Sequence, residues 1–175
     1  MKRLQTALPD RLKRWFFLLL AANVLFIILA RFYLHPLTTS EIIRFELAKD
    51  VGTAESIVEH WIAAGLLTKA RNSVYLDFLF IILYTSGLSV ASLLLSKLTW
   101  HEVLARTGYF MVYLLLAAGI CDVIENVALL RSLHGTIENW NVILAYDMAA
   151  TKFSILILCI LFCSVCVVFR LFRNV

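Results

Sequence analysis

Four long apolar stretches divide the chain, and each is long enough to cross a membrane as a helix. They run over 15–34, 74–95, 108–130 and 142–169. A helix that spans the hydrocarbon core needs about 20 predominantly apolar residues, whereas the strands of a membrane barrel would alternate in segments of about ten residues. The pattern therefore predicts an all-α, polytopic membrane protein with four transmembrane helices in a single domain, 1–175.

The connection between the first two spans predicts two short amphipathic helices within about 40–66. Thr38 and Glu41 have the spacing of a capping box, in which each side chain accepts a hydrogen bond from the other residue's backbone N–H. Gly52 suggests a break, Thr53 is the expected N-cap of the second helix, and apolar residues then recur at helical spacing. We expect this pair to lie on the outer face of the bundle, either covering helix ends or acting as a lid over a site.

Small hydroxyl side chains form a stripe along the second span, at alternating steps of four and three residues. The stripe consists of Thr85, Ser89, Ser92 and Ser96. Small residues at this spacing let membrane helices approach closely, so we expect a packing surface rather than a polar path through the membrane. Asn23 in the first span is expected to form a hydrogen bond to another helix.

Composition excludes the common classes of soluble protein. Of the 175 residues, 62% are apolar and 16% are charged, whereas a soluble domain has about 45–50% and about 25% respectively. A chain of this size could not bury such an apolar excess in one core, because its surface is large relative to its volume. A soluble enzyme, a disordered chain and a secreted disulfide scaffold are thereby excluded.

The distribution of Lys and Arg predicts the orientation. The tail before the first span, the connection 97–107 and the tail after Phe169 are short segments that carry most of the basic residues. The positive-inside rule predicts that both termini face the cytoplasm, and the expected location is a bacterial inner membrane. The net charge of +4 arises beside span ends, where anionic headgroups attract it, so no nucleic-acid partner is expected. The first span lacks a small-residue cleavage site and is expected to remain as an anchor.

Ionisable residues lie inside three of the predicted spans, where they are costly and usually functional. Asp122, Glu125 and Asn126 share one face of the third span because they stand at i, i+3 and i+4. In the predicted orientation all these groups lie in the outer half of the bilayer. Glu125 and Asp122 are about 9 and 14 Å from Arg131, and Lys152 is about 16 Å from Asn141. The candidate ligand-binding residues are Asp77, Tyr84, Asp122, Glu125, Asn126, Tyr146, Asp147 and Lys152.

Several carboxylates in a low dielectric cannot all remain ionised without a partner. Lys152 could neutralise one, and the others could be protonated, bind a divalent cation or pair with a cationic or hydroxyl-bearing ligand. The pattern favours a protein that binds or helps to move a lipid headgroup, an amphiphile or a cation. Two alternatives remain open: a lipid-modifying enzyme that uses a divalent metal, and a structural subunit whose polar network fixes helix register.

The sequence identifies no catalytic residue, no cofactor and no set of metal ligands. Membrane lipids are the expected partners, and the lipid-facing surface of four helices leaves room for a second copy or another membrane protein.

Two short segments resemble a group of small four-helix bacterial membrane proteins that has no established activity. In that group an aromatic-rich Asp-Phe-Leu-Phe opens the second helix and Asp-x-x-Glu-Asn closes the third. The corresponding segments here are 77–80 and 122–126, and a Lys lies in the fourth span. The resemblance covers roughly 55–155. It implies the four-helix architecture and the same choice of site residues, and it names no reaction.

Overall fold

The computed structural model describes residues 2–99 and 101–173, and this part of the chain consists of helices joined by short connections, with no strand. In order, its helices are α1 (Lys2–Leu34), α2 (Thr39–Glu46), α3 (Val51–Ala63), α4 (Leu67–Leu98), α5 (Glu102–Leu133) and α6 (Asn139–Arg173). The all-α prediction is confirmed. Four segments in these helices are long and apolar enough to cross a membrane, namely Asp10–Leu34, Leu67–Leu98, Glu102–Leu133 and Asn139–Phe172.

The long helices extend beyond the apolar stretches that predicted them. A helix continues past its apolar part wherever adding a residue still adds a backbone hydrogen bond, and polar side chains near helix ends then find partners. The first turns of α4 show this: Arg71 Nε and Nη2 donate hydrogen bonds to the backbone oxygen of Leu133, at the end of α5, over 3.0 and 2.7 Å. Hydropathy marks only the part of each helix that avoids water.

Helix α5 lies at the centre of the bundle, between α4 and α6, and α1 lies at the periphery, against α4. In the most apolar part of α5, 44% of the residues are buried, compared with 6% in α1. Asn23 anchors α1 to α4, because its Nδ2 donates a hydrogen bond to the backbone oxygen of Leu83 over 3.0 Å. The predicted interhelical bond of Asn23 is thus confirmed.

The stripe of small residues on α4 is a packing surface, as predicted: Thr85, Ser92 and Ser96 are buried and Ser89 is partly buried. Thr85 and Ser96 face α5, whereas Ser92 Oγ lies 3.3 Å from Cys159 Sγ of α6. At Gly108 of α5 the helices are so close that an added Cβ would lie 2.6 Å from Ser96 Cβ and 3.1 Å from the backbone oxygen of Ser92. Gly119 is the second close approach, with Thr85 Cγ2 3.1 Å from the position of an added Cβ. These two glycines bring α4 and α5 into direct contact.

The capping box that begins α2 is confirmed. Thr38 Oγ1 accepts a hydrogen bond from Glu41 N over 3.3 Å, and Glu41 Oε2 accepts one from Thr38 N over 2.8 Å. The predicted start of α3 is wrong: Asp50 is the N-cap and accepts a hydrogen bond from the backbone N–H of Thr53 over 2.8 Å. Asp is a strong N-cap, and Gly52 does not interrupt the helix because it lies in the first turn.

We call α2, α3 and the turn between them the hairpin. Phe45 of α2 and Trp61 of α3 are buried and pack edge to face, with ring centroids 5.1 Å apart. They belong to one apolar cluster with residues from the first turns of α4 and α6 and the last turns of α5. The hairpin therefore covers this end of the bundle, which we call the hairpin end.

Candidate functional site

A buried ammonium group lies among three carboxylates near the hairpin end. Lys152 Nζ is 2.6 Å from Asp122 Oδ1, 2.9 Å from Glu125 Oε2 and 3.5 Å from Glu46 Oε2. We call these four residues the ion cluster. The exposed fraction is 5% for Lys152, 2% for Asp122 and 0% for Glu125. Burial of such charges is tolerated only where opposite charges are in close contact, and the distances meet that condition.

Helix α5 supplies the acidic face of the site, as the sequence predicts. Asp122, Glu125 and Asn126 are all buried on the side of α5 that faces α4 and α6. Lys152 approaches this face from α6, more than three turns after that helix begins, and its long side chain spans the distance between the two helices. The interface of α5 and α6 thereby joins residues that are 27 and 30 positions apart in sequence.

Two further hydrogen bonds connect the acidic face to α4. Tyr84 OH donates to Asp122 Oδ2 over 2.7 Å, so both carboxylate oxygens of Asp122 have partners. Asn126 Nδ2 donates to Asp77 Oδ2 over 2.7 Å. The predicted residues Asp77, Tyr84, Asp122 and Asn126 thus form one polar network with the ion cluster, contributed by three long helices and α2.

Tyr146 and Asp147 lie on other faces of α6. Asp147 is exposed, and the ring of Tyr146 lies 5.0 Å from Lys49 Nζ, outside the ion cluster. Helical geometry explains this separation, because five residues correspond to a rotation of about 140° away from Lys152 and six residues to about 120°. The two residues therefore lie in the same part of α6 as the site, but their side chains are on faces that do not meet the ion cluster.

Glu46 is the site residue that sequence reasoning missed. It is the last residue of α2, in a connection outside the apolar spans, where charged side chains are expected to face solvent. A signal was nevertheless present, because Glu46 stands three and four residues after Ile43 and Ile42 and so lies on the apolar face of an amphipathic helix. Burial raises the pKa of Glu46 above its usual range, and the neighbouring Lys152 opposes that rise.

This raised pKa predicts that stability falls as the pH rises. The folded protein retains a proton on Glu46 at pH values where the unfolded chain, with a pKa near 4.5, has released it, so the contribution is lost as the pH rises through the folded-state pKa. Charged groups that surround Glu46 are Lys152, Asp122 and Asp77, together with Glu125. We expect Glu46→Gln to reduce the fall of the melting temperature as the pH rises above about 4.5.

The matched control for this prediction is Glu55→Gln, since Glu55 is an exposed residue of α3. That variant should keep the wild-type slope of melting temperature against pH, measured in detergent for all three proteins. An unchanged slope in Glu46→Gln would show that protonation of Glu46 is not coupled to folding.

A cavity of about 440 Å³ adjoins this network. Its walls come from all four long helices and α2, with α5 contributing Asp122 and Asn126. Its polar lining is confined to the network and the hairpin end, while apolar residues such as Phe80 and Leu156 line the rest. Ile27 of α1 and Ile160 of α6 also line it and are 53% and 55% exposed, so the cavity opens sideways between these helices. We call it the groove.

The groove continues beyond the polar network toward the middle of the bundle. Ile160 lies eight residues after Lys152, which corresponds to about 12 Å along α6, and Leu88 of α4 lines the same apolar part. The groove therefore has two chemically distinct ends, one polar and largely acidic beneath α2, the other apolar and open to the side.

Among the described residues, no three His, Cys, Asp or Glu side chains are grouped so that they could hold a metal ion. In the ion cluster the Lys152 ammonium occupies the space between the carboxylates. Comparison of the chain with profiles of known families, with curated proteins and with solved structures finds no match. What the site can do therefore follows from its own chemistry: an apolar, side-opening groove that leads to a polar end with more acidic than basic groups.

Proposed function

We propose that this is an integral membrane protein that binds an amphiphile in the groove, with the chain of the ligand in the apolar part and its headgroup at the polar network. The observation that supports this proposal most directly is the shape of the groove, which is open to the side and polar at one end only. An ion-pair network that only held helices together would need no cavity beside it.

Insertion into a membrane is supported by the outer surface of the long helices. Large apolar side chains are exposed along α1 and α6, among them Leu25 and Phe32 of α1 and Leu161 and Phe172 of α6. Soluble monomers rarely expose continuous apolar surface on this scale, whereas lipid tails are a suitable environment for it. Lateral opening of the groove between α1 and α6 then means opening toward lipid.

The distribution of Lys and Arg supports an orientation in a bacterial inner membrane with both termini in the cytoplasm. In this orientation the hairpin end faces outward, so the polar network lies in the outer half of the bilayer. An amphiphile of the outer leaflet would then enter with its headgroup already near the depth of the network. The cavity volume also falls within the range of about 300–1,000 Å³ that is usual for ligand pockets.

A pair of adjacent substitutions tests this proposal. Ile27 and Ile28 are neighbours on α1 with similar exposure, 53% and 47%, but only Ile27 lines the groove. We expect Ile27→Trp to fill the opening and to reduce occupancy at least about tenfold, which corresponds to about 1.4 kcal/mol. Ile28→Trp adds the same bulk on the lipid-facing side and should leave occupancy unchanged.

Occupancy can be measured by photo-crosslinking with dodecyl probes that carry a diazirine in the chain and an amine, hydroxyl or sulfate headgroup. The full-length protein is placed in phosphatidylcholine nanodiscs, and labelled peptides are located by mass spectrometry. The proposal predicts labelling at groove residues such as Phe80 and Leu156 that unlabelled compound suppresses. Labels spread evenly over the lipid-facing surface, or equal labelling of the two Trp variants, would overturn it.

A further inference from the structure

We propose that the headgroup recognised in the groove is a protonated amine, bound by Asp77. This inference rests on the proposed function, because it specifies the class of amphiphile. It follows from the position of Asp77 on the groove wall and from the distribution of charge between Asp77 and the ion cluster.

Asp77 differs from the other acidic residues of the site in its contacts. Glu46, Asp122 and Glu125 each have an oxygen within 3.5 Å of Lys152 Nζ, whereas the hydrogen-bond partner of Asp77 is the neutral amide of Asn126. That bond uses Oδ2, and Oδ1 of Asp77 accepts no hydrogen bond from any residue in the described part of the chain. Asp77 is partly exposed and lines the groove, so a ligand can reach its free oxygen.

The charge at the polar end of the groove favours a cation. Lys152 is the only basic side chain in the network, within the described residues, and it is already in contact with three carboxylates. Arg31 lines the groove, but its guanidinium is directed to the backbone oxygen of Leu37, at 3.3 Å from Nη1. A sulfate, phosphate or carboxylate headgroup at Asp77 would meet a lining in which three carboxylates (Glu46, Asp77 and Asp122) outnumber two basic groups (Arg31 and Lys152), and like charges at such an interface are strongly disfavoured.

The groove wall matches an ammonium in hydrogen bonding and also in charge. A primary ammonium has three donors and no acceptor. Asp77 offers a free acceptor oxygen, and the Tyr84 hydroxyl oxygen retains a lone pair after it has donated to Asp122. Charge-assisted hydrogen bonds to a carboxylate are about twice as strong as neutral ones. An amine would therefore gain both a counter-charge and acceptors that a hydroxyl headgroup would use only in part.

The three dodecyl probes, which share one chain, test this inference in wild-type protein. Labelling of Phe80 and Leu156 is normalised to labelling at Leu25, which lies on the lipid-facing surface, so that differences in partitioning into the nanodisc cancel. We expect the amine probe to label the groove at least about tenfold more than the hydroxyl or sulfate probe. The same probe with its amine acetylated, and therefore uncharged, should lose this preference without any substitution in the protein.

Asp77→Asn should remove the preference for the amine, and it keeps an acceptor oxygen for the bond from Asn126. Asp147→Asn is the matched control, because Asp147 is an exposed carboxylate on α6 outside the groove, and it should keep the full preference. Equal groove labelling by all headgroups, or a preference for sulfate, would overturn the amine inference and leave amphiphile binding intact. Absence of groove labelling with every probe would overturn the proposed function as well.

Discussion

Replacement of Lys152 by Met should lower the free energy of unfolding by about 3–5 kcal/mol, because it leaves buried carboxylates without their counter-charge. Met has a length and volume close to those of Lys, so the substitution removes the ammonium and preserves most of the packing. Asp122 and Glu125, at 2.6 and 2.9 Å from Nζ, lose their closest opposite charge. The loss can be measured by unfolding in mixed micelles with increasing SDS, followed by tryptophan fluorescence.

Lys13→Met is the control, since Lys13 forms an ion pair with Asp10 at 3.4 Å that is exposed on both sides. Such pairs contribute about 0–1 kcal/mol. The triple variant that combines Lys152→Met with Asp122→Asn and Glu125→Gln should recover part of the loss, because the uncompensated charges are gone. A loss below about 1 kcal/mol for Lys152→Met alone would contradict the burial of its ammonium among carboxylates.

Gly108→Ala should destabilise the bundle by about 1–3 kcal/mol through overpacking. The new methyl group would lie 2.6 Å from Ser96 Cβ and 3.1 Å from the backbone oxygen of Ser92. The backbone of α4 cannot rotate away as a side chain can, so the two helices must separate. The same SDS titration measures this effect, and it should appear although Ala is the better helix former by about 1 kcal/mol.

Gly52→Ala serves as the control, because an added Cβ there would meet only Asp50 Oδ1, at 3.4 Å. It should be neutral or stabilising by up to about 1 kcal/mol. Combining Gly108→Ala with Ser96→Gly removes the closest obstacle and should restore part of the lost stability. If Gly108→Ala alone proved as stable as the wild type, α4 and α5 would have to be farther apart than this structure places them.

The four long helices were predictable because hydropathy reports directly on burial in an apolar medium. The ends of these helices were less predictable. The polar first turns of α4 are held by contacts such as that of Arg71 with the end of α5, and no local sequence pattern reveals such a contact. The prediction for the start of α3 was wrong for a local reason. Thr53 is a good N-cap residue, but Asp50, three residues earlier, is the N-cap in the structure.

The candidate site was likewise predictable only in part. Residues at i, i+3 and i+4 on α5 must share a face, so the acidic face was predictable from spacing alone. Depth along a helix can also be counted, and it placed Asp147 and Lys152 near one level. The face of α6 that packs against α5 is set by tertiary contacts, however. Lys152 lies on that face and Asp147 does not. Glu46 required knowledge of how α2 lies over the bundle, which is a long-range contact.

The lateral opening of the groove has a consequence for how affinity must be expressed. In the proposed membrane orientation, a ligand that enters between Ile27 and Ile160 comes from the lipid leaflet and never has to cross water as a monomer. The quantity that determines occupancy is then the mole fraction of the ligand among the lipids, not its molar concentration in the buffer. Adding plain lipid at constant total ligand should empty the groove by surface dilution, while adding buffer should not.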